Sequence, residues 1–248
     1  MIVVVSPHLD DAVLSAFDIL QGNASRGTEV ATLVTEPGEN WSQDWAKVTG
    51  FSSGREEFES RRREDARAVS LTGAAYHHLG GASDDVPGSG HLLDRYVESK
   101  ISEDRDLLLL IPAAAGGSEP PGSIARLLSR LTRRPSGAAS HPDHAFVRDR
   151  MIELVHRHSI RRFGFYLEIP YVWNDSVRRL HADLEGRTGS ALRRAERKVN
   201  ADDKLQACEA YASQLRLILG RKPSYRKRVL SAKEQYLLTA EAAAALAH

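Results

Sequence analysis

The sequence predicts an α/β protein with a doubly wound, mostly parallel sheet flanked by helices, in a single domain that covers residues 1–248. Short runs of Val, Ile and Leu alternate along the chain with longer segments of helical periodicity. The runs are apolar throughout, as expected for parallel strands that helices cover on both faces. The length suffices for one α/β domain with a substantial core. Strand–helix alternation of this kind is typical of a Rossmann-like sheet.

In the first half of the chain, apolar runs predict strands and a 3.6-residue periodicity predicts helices. The predicted strands are residues 2–5, 30–34, 76–79 and 107–111. The predicted helices are residues 11–24, 55–71 and 92–101. Gly73 ends the second helix, because glycine is the preferred residue just beyond a helix C-terminus.

In the second half, the same patterns predict a helix over residues 142–158 and a strand over 162–169. Residues 192–248 are basic, and we expect this C-terminal part to be helical. Residues 113–140 mix Gly, Pro, Ser and Arg around one possible helical turn at 124–131. A connection of this length is usually functional or mobile, so it is either a rim or lid over a site or a surface excursion.

Composition excludes several classes of protein. The net charge of +1 provides no global field for nucleic acid or an anionic membrane. A single cysteine, Cys208, excludes an internal disulfide and a thiolate zinc cluster. No apolar run approaches the roughly 20 residues that span a bilayer, and the first predicted strand leaves no room for a signal peptide. We therefore expect a cytoplasmic protein that binds neither nucleic acid nor membrane.

A polar cluster directly follows the first predicted strand. Residues 7–11 read Pro-His-Leu-Asp-Asp and lie where that strand ends and a helix begins. Open α/β sheets bind their ligands at this carboxyl edge. His8 and Asp11 are three positions apart in a tight turn, so both can ligate a metal ion while Asp10 stays free as a base.

A second cluster, His-Pro-Asp-His at residues 141–144, begins a later predicted helix. With His144 as the third ligand, His8 and Asp11 complete two imidazoles and one carboxylate. A catalytic zinc site has this number of ligands and keeps one position open for water. The same donors also suit Fe²⁺ or another divalent ion, so the pattern predicts a divalent site better than zinc itself.

The two clusters resemble the paired motifs of the LmbE-like, or PIG-L, metal-dependent N-deacetylases. Three further fragments are similar to that family in order: an Arg-x-x-Glu helix, a Tyr-x-Glu-Ile-Pro strand and a Lys…Tyr-x-Ser-Gln helix, at residues 61–68, 165–171 and 204–215. The resemblance covers about residues 1–215. Leu9 stands where many members carry Pro, which changes the stiffness of the loop but removes no ligand.

Three residues beside the expected ligands are candidates for catalysis. Asp10 is the candidate general base, with an N-cap as its structural alternative. His141, as a protonated imidazole, would stabilise the oxyanion that amide hydrolysis develops; alternatively, it only precedes Pro142 at the helix start. Asp143 would either hold His141 in its charged form or orient a metal ligand.

The resemblance also implies substrate contacts. Arg61 is expected to reach into the pocket toward substrate hydroxyls or carbonyls, although a charged helix face is usually solvated. Glu36 follows the second predicted strand and would bind a polyol, or serve as an ordinary turn residue.

The resemblance implies a zinc-dependent hydrolase that removes the N-acetyl or a related N-acyl group from an amino sugar or its conjugate. The alternatives are an amidase for a non-sugar or thiol-conjugate amide and an inert sugar- or nucleotide-binding relative. Nucleotide binding is disfavoured, because acids occupy the turn where a Gly-x-Gly-x-x-Gly phosphate loop would lie.

Overall fold

The computed structural model of the protein describes residues 1–40, 50–115, 141–174, 177–214 and 223–247. Within these ranges the strands are β1 Ile2–Ser6, β2 Thr28–Glu36, β3 Ala75–Ala82, β4 Leu108–Pro112, β5 Phe163–Tyr166, β6 Arg193–Arg197 and β7 Glu234–Leu238. The α-helices are α1 Asp11–Ser15, α2 Phe17–Gly22, α3 Gly54–Leu71, α4 Gly90–Glu103, α5 Pro142–Arg157, α6 Val177–Thr188, α7 Ala201–Glu209, α8 Pro223–Leu230 and α9 Ala240–Ala245. Two 3₁₀ turns lie at Ala24–Arg26 and Tyr171–Asn174.

The strands form one seven-stranded sheet in the order β3-β2-β1-β4-β5-β7-β6. The first five strands are parallel, and β7 and β6 extend the sheet antiparallel beyond β5. The predicted doubly wound, mostly parallel sheet is therefore confirmed. The chain winds outward in two directions from the β1–β4 pair, and ligands of such sheets bind beside this switch point.

Both faces of the central strands are buried, which explains their uninterrupted apolar sequence. Successive side chains of a strand point to opposite faces. In β1, Val3 packs into one core cluster and Val4 into the other. In β4, Leu109 and Leu110 divide between the same two clusters. Two hydrophobic cores, one on each face, thus fix the strand ends that carry the polar loops.

The predicted first helix, residues 11–24, is in fact two short helices separated at Ala16. The break has a long-range cause. The Glu234 carboxylate accepts hydrogen bonds from the backbone N–H groups of Phe17 at 3.0 Å and Asp18 at 2.9 Å. A buried side chain 217 residues away therefore caps the start of α2 in place of a neighbouring residue.

The expectation that residues 192–248 are helical is wrong in part, because this region contains β6 and β7. β6 reads Arg-Arg-Ala-Glu-Arg and is largely exposed at the sheet edge. Charged residues protect an edge strand from further pairing, and they also conceal it in the sequence. In β7 the buried Glu234 interrupts the apolar pattern.

The predicted rim or lid, residues 113–140, lies outside the described residues except for 113–115. The predicted helical turn at 124–131 falls in that gap. Among the described helices, none is both long and apolar enough to cross a membrane.

Candidate metal and catalytic site

The first polar cluster lies in the turn between β1 and α1. Ser6 organises this turn: its Oγ donates to the His8 carbonyl at 2.7 Å and accepts from the Ala12 N–H at 3.3 Å. The Asp11 carboxylate accepts from the His8 N–H at 2.9 Å. These short-range hydrogen bonds turn the chain sharply, so that the His8 and Asp11 side chains face the same point.

The second cluster begins α5. His141 is the N-cap residue and Pro142 occupies the first turn, where its missing N–H costs no hydrogen bond. His144 lies in the same turn and is buried. The helix thus directs His144 inward, toward the loop that follows β1.

The three predicted ligands, His8, Asp11 and His144, offer one atom each to a common point. His8 Nδ1 lies 3.2 Å from His144 Nε2, and Asp11 Oδ2 lies 3.3 Å from each of these nitrogens. Ligands held about 2.0–2.1 Å from a tetrahedral zinc are separated by about 3.3–3.4 Å. The spacing and the donor types therefore fit a divalent ion.

The other nitrogen of each histidine contacts a carboxylate. His8 Nε2 lies 2.8 Å from Asp143 Oδ2, and His144 Nδ1 lies 3.1 Å from Glu168 Oε1. An N–H donated to each carboxylate leaves the opposite nitrogen with its lone pair toward the cluster, which is the arrangement that metal-binding histidines adopt. Two roles were predicted for Asp143. Its Oδ2 lies 2.8 Å from His8 Nε2 but 3.4 Å from His141 Nδ1, so the geometry favours orienting the candidate ligand His8.

The carboxylates also stabilise positive charge at this point. Burial lowers the pKa of His144, but the Asp11 charge and hydrogen bonds to Asp11 and Glu168 raise it well above the ordinary value. Burial also lowers the pKa of His8, but hydrogen bonds to Asp11 and Asp143 raise it above its ordinary value. Burial raises the pKa of Asp11, but His144 and His8 hold it far below its usual range. Such a cluster favours a cation.

Asp10 is adjacent in sequence to the candidate ligand Asp11, but its side chain is not part of the ligand cluster. It stands at the N-cap position of α1, yet its side chain makes no capping hydrogen bond. The structural alternative considered for this residue is therefore not what the side chain does. Burial, and then the neighbouring Asp11 charge, raise the pKa of Asp10 to about 7, against the opposing influence of Arg61 and His8.

His141 stands edge-on to His8, with ring centroids 5.0 Å apart, and its side chain is 43% exposed. Its Nδ1 accepts the Asp143 backbone N–H at 3.4 Å. Burial and then the positive charge of His8 lower the pKa of His141. The lowered pKa disfavours the protonated ring that the sequence predicts for His141.

The two residues predicted to contact the substrate, Arg61 and Glu36, lie in different surroundings. Arg61 lies over the Phe58 ring, with its side chain only 15% exposed, and its buried Nε has no hydrogen-bond partner among the described residues. Its charge acts on Asp10. Glu36 instead pairs with Arg62, which also donates to the Thr35 carbonyl at 2.7 Å.

Two of the family-like fragments meet beside this site. The Tyr211 hydroxyl donates to the buried Asp65 carboxylate at 2.8 Å, and Ser213 Oγ donates to Glu64 at 2.7 Å. These hydrogen bonds join α3 to the segment after α7.

The contact between Glu168 and His144 is not predicted by the sequence. Glu168 appears in the Tyr-x-Glu-Ile-Pro fragment, but its contact with His144 spans 24 positions. A histidine that binds a metal ion usually donates its second ring N–H to a carboxylate or another acceptor. This rule was the available signal, because it predicts a carboxylate partner for each candidate ligand histidine.

Fold and site together define a doubly wound α/β protein with a His₂Asp cluster and the adjacent Asp10 carboxylate at its switch point. No protein-family model matches the chain, and no curated protein matches it significantly. Solved structures do share its fold. The zinc-inhibited form of teicoplanin deacetylase Orf2 aligns with a TM-score of 0.66 at 19% identity, over 96% of this chain and 97% of that one.

Two other deacetylases have the same fold. The A40926 pseudoaglycone deacetylase Dbv21 aligns with a TM-score of 0.64 at 21% identity, over 96% of both chains. The N,N′-diacetylchitobiose deacetylase from Pyrococcus horikoshii aligns with a TM-score of 0.54 at 15% identity, over 97% of this chain and 84% of that one. The resemblance to LmbE-like, or PIG-L, proteins is thus confirmed at the level of the fold.

Proposed function

We propose that the protein is a metal-dependent N-deacetylase that hydrolyses the acetamide of an amino sugar or amino-sugar conjugate. One observation carries the proposal: three donor atoms of His8, Asp11 and His144 converge at 3.2–3.3 Å beside the Asp10 carboxylate, which makes no capping hydrogen bond. This constellation lies at the switch point of a fold shared with deacetylases. Geometry and fold therefore support the same chemistry.

His8, Asp11 and His144 would hold the ion. A divalent metal bound there lowers the pKa of coordinated water and polarises the amide carbonyl. Zn²⁺ is the first candidate for a site with two imidazoles and one carboxylate. The same donors suit Fe²⁺, and one neighbour was solved in a zinc-inhibited form. Other divalent ions and excess Zn²⁺ therefore belong in the test.

Asp10 acts as the general base. Its carboxylate accepts a proton from the attacking water and returns it to the departing amine nitrogen, so that acetate and a free amine form. Burial and then the neighbouring Asp11 charge raise the pKa of Asp10 to about 7. A group with a pKa near the working pH exchanges protons in both directions efficiently.

His141 and Arg61 contact the substrate in this proposal. The Nε2–H of neutral His141 donates a hydrogen bond to the oxygen that becomes negative as water adds to the amide. Arg61, whose Nη1 lies 3.7 Å from Glu57 and whose Nε has no hydrogen-bond partner among the described residues, binds substrate oxygens next to Asp10. Glu36 forms an ion pair with Arg62 and is proposed to accept a hydrogen bond from a substrate hydroxyl.

The substrate class is proposed by analogy with the neighbours. Their names give teicoplanin, the A40926 pseudoaglycone and N,N′-diacetylchitobiose as what they deacetylate. We propose a glycoconjugate small molecule as the partner of this protein too, in the cytoplasm.

The test measures acetate and amine release from N-acetylglucosamine, N,N′-diacetylchitobiose, an N-acetylglucosaminyl glycopeptide and simple N-acetyl alkylamines. The protein is loaded with Zn²⁺, Fe²⁺ or Co²⁺. Asp10→Asn is expected to lower turnover by about 10²–10⁴-fold and to keep the metal. Asp106→Asn serves as the matched control and is expected to keep full activity, because Asp106 is exposed and precedes the amino end of β4.

Equal turnover by wild type and Asp10→Asn would remove Asp10 as the base. Release from alkylamines alone would favour an amidase that does not act on sugars. Metal binding without release from any substrate would favour an inert sugar-binding relative.

A further inference from the structure

The Glu168 carboxylate lies between a candidate ligand and the beginning of the segment that precedes the second cluster. It is fully buried. Oε1 accepts the Ala114 N–H at 2.8 Å and lies 3.1 Å from His144 Nδ1, while Oε2 accepts the Ala115 N–H at 3.1 Å. One side chain therefore contacts both the candidate metal site, at His144, and the turn that follows β4, at Ala114 and Ala115.

All of these partners are donors when His144 turns its Nε2 toward the cluster. A carboxylate accepts on both oxygens and satisfies them together. A glutamine in the same place would turn its amide N–H₂ either toward Ala115 N–H or toward His144 and Ala114. A buried donor left facing another donor is destabilising. The site thus requires the charged side chain and not only its shape.

The turn itself depends on this carboxylate. Ala114 has φ = 54°, in the left-handed region that non-glycine residues rarely adopt. Such a conformation persists only where the surrounding structure fixes it. The two hydrogen bonds from consecutive backbone N–H groups to Glu168 supply that constraint.

We propose that Glu168 is a positioning residue that couples His144 to the turn at Ala114 and Ala115. Binding of a divalent ion orients His144, which strengthens its contact with Glu168 and so orders the turn. By linkage, an ordered turn favours ion binding to the same extent. The inference rests on the metal-binding part of the proposed function and is independent of which acyl group is removed.

The first test is hydrogen exchange of the Ala114 and Ala115 amides, measured by NMR with and without Zn²⁺. In wild type, Zn²⁺ is expected to slow both exchange rates. In Glu168→Gln, both amides are expected to exchange about 10- to 100-fold faster than in wild type, as for a lost hydrogen bond to a charged group, and Zn²⁺ no longer slows them. Identical rates in wild type with and without Zn²⁺ would overturn the coupling.

The second test is Zn²⁺ affinity, measured by competition with a chromophoric chelator. Glu168→Gln is expected to bind Zn²⁺ about 10- to 100-fold more weakly than wild type. The matched control is Glu234→Gln, which replaces another fully buried carboxylate that accepts two backbone N–H groups. This control is expected to lose stability and to keep wild-type affinity.

If Glu168→Gln loses stability like Glu234→Gln but binds Zn²⁺ as wild type does, Glu168 is only a structural residue and the proposal fails. Wild type that binds Zn²⁺ without releasing acetate would leave the positioning role intact and contradict the deacetylase assignment. Wild type that binds no divalent ion would contradict both.

Discussion

Replacing Lys204 with Met tests how strongly one buried ion pair holds the elements behind the site. Lys204 Nζ lies 2.8 Å from Glu234 Oε1, and both side chains are completely buried. Glu234 also accepts the backbone N–H groups that begin α2 and the hydroxyl of Tyr236 at 2.8 Å. Lys204→Met would leave this carboxylate buried without a counter-charge.

Breaking a buried ion pair by removing one partner costs about 3–5 kcal/mol. The hydrogen bonds that remain on Glu234 place the expected loss near the lower end, at about 3 kcal/mol in the free energy of unfolding. For a protein of this size, a loss of about 3 kcal/mol lowers Tm by about 6–12 °C.

The measurement is urea denaturation followed by circular dichroism. Lys233→Met is the control, because Lys233 pairs with Glu196 while 56% exposed. Its effect is expected within about 0.5 kcal/mol. A loss of less than about 1 kcal/mol for Lys204→Met would refute the argument that this pair holds the start of α2.

Three further predictions address the site and the sheet. Asp143→Asn removes the charge that orients His8, so Zn²⁺ affinity is expected to fall about tenfold in a chelator competition; unchanged affinity would contradict this role. Arg61→Met is expected to raise KM about 10- to 100-fold while metal content stays constant, because it removes hydrogen bonds from a charged donor; an unchanged KM would exclude substrate binding. Burial raises the pKa of Glu29, but hydrogen bonds from Tyr96 and Lys100 lower it below its usual value. The advantage of wild type over Glu29→Gln in unfolding free energy is therefore present above about pH 4.3 and lost as the pH falls through the lower, folded-state pKa. Urea denaturation at several pH values measures it, and an advantage that grows on acidification would reverse the sign.

The parallel half of the fold was predictable because its signals are local. β1 and β4 are apolar on both faces, and α5 begins at the Pro142 that the second motif contains. β6 and β7 were missed because edge charges and the buried Glu234 disguise them. The break at Ala16 was not predictable, since the residue that causes it lies in β7.

The convergence of His8, Asp11 and His144 was predictable because these candidate ligands lie in two short motifs at strand–helix boundaries. His8 and Asp11 converge through a turn of four residues, and Pro142 fixes where His144 begins α5. The roles of Glu168 and Asp143 depend on contacts between distant elements, which spacing alone does not reveal. The lowered pKa of His141 likewise depends on burial and on His8.

The most direct test of the proposed function is acetate release from an N-acetylated amino-sugar substrate before chelation, after chelation and after stepwise return of one divalent ion. Activity is expected to vanish with the metal and to return in proportion to occupancy, with a maximum at about one ion per chain as for a site with three protein ligands. His144→Ala is expected to neither retain the ion nor recover activity. Acetate release that persists in fully metal-free protein would contradict the proposed function.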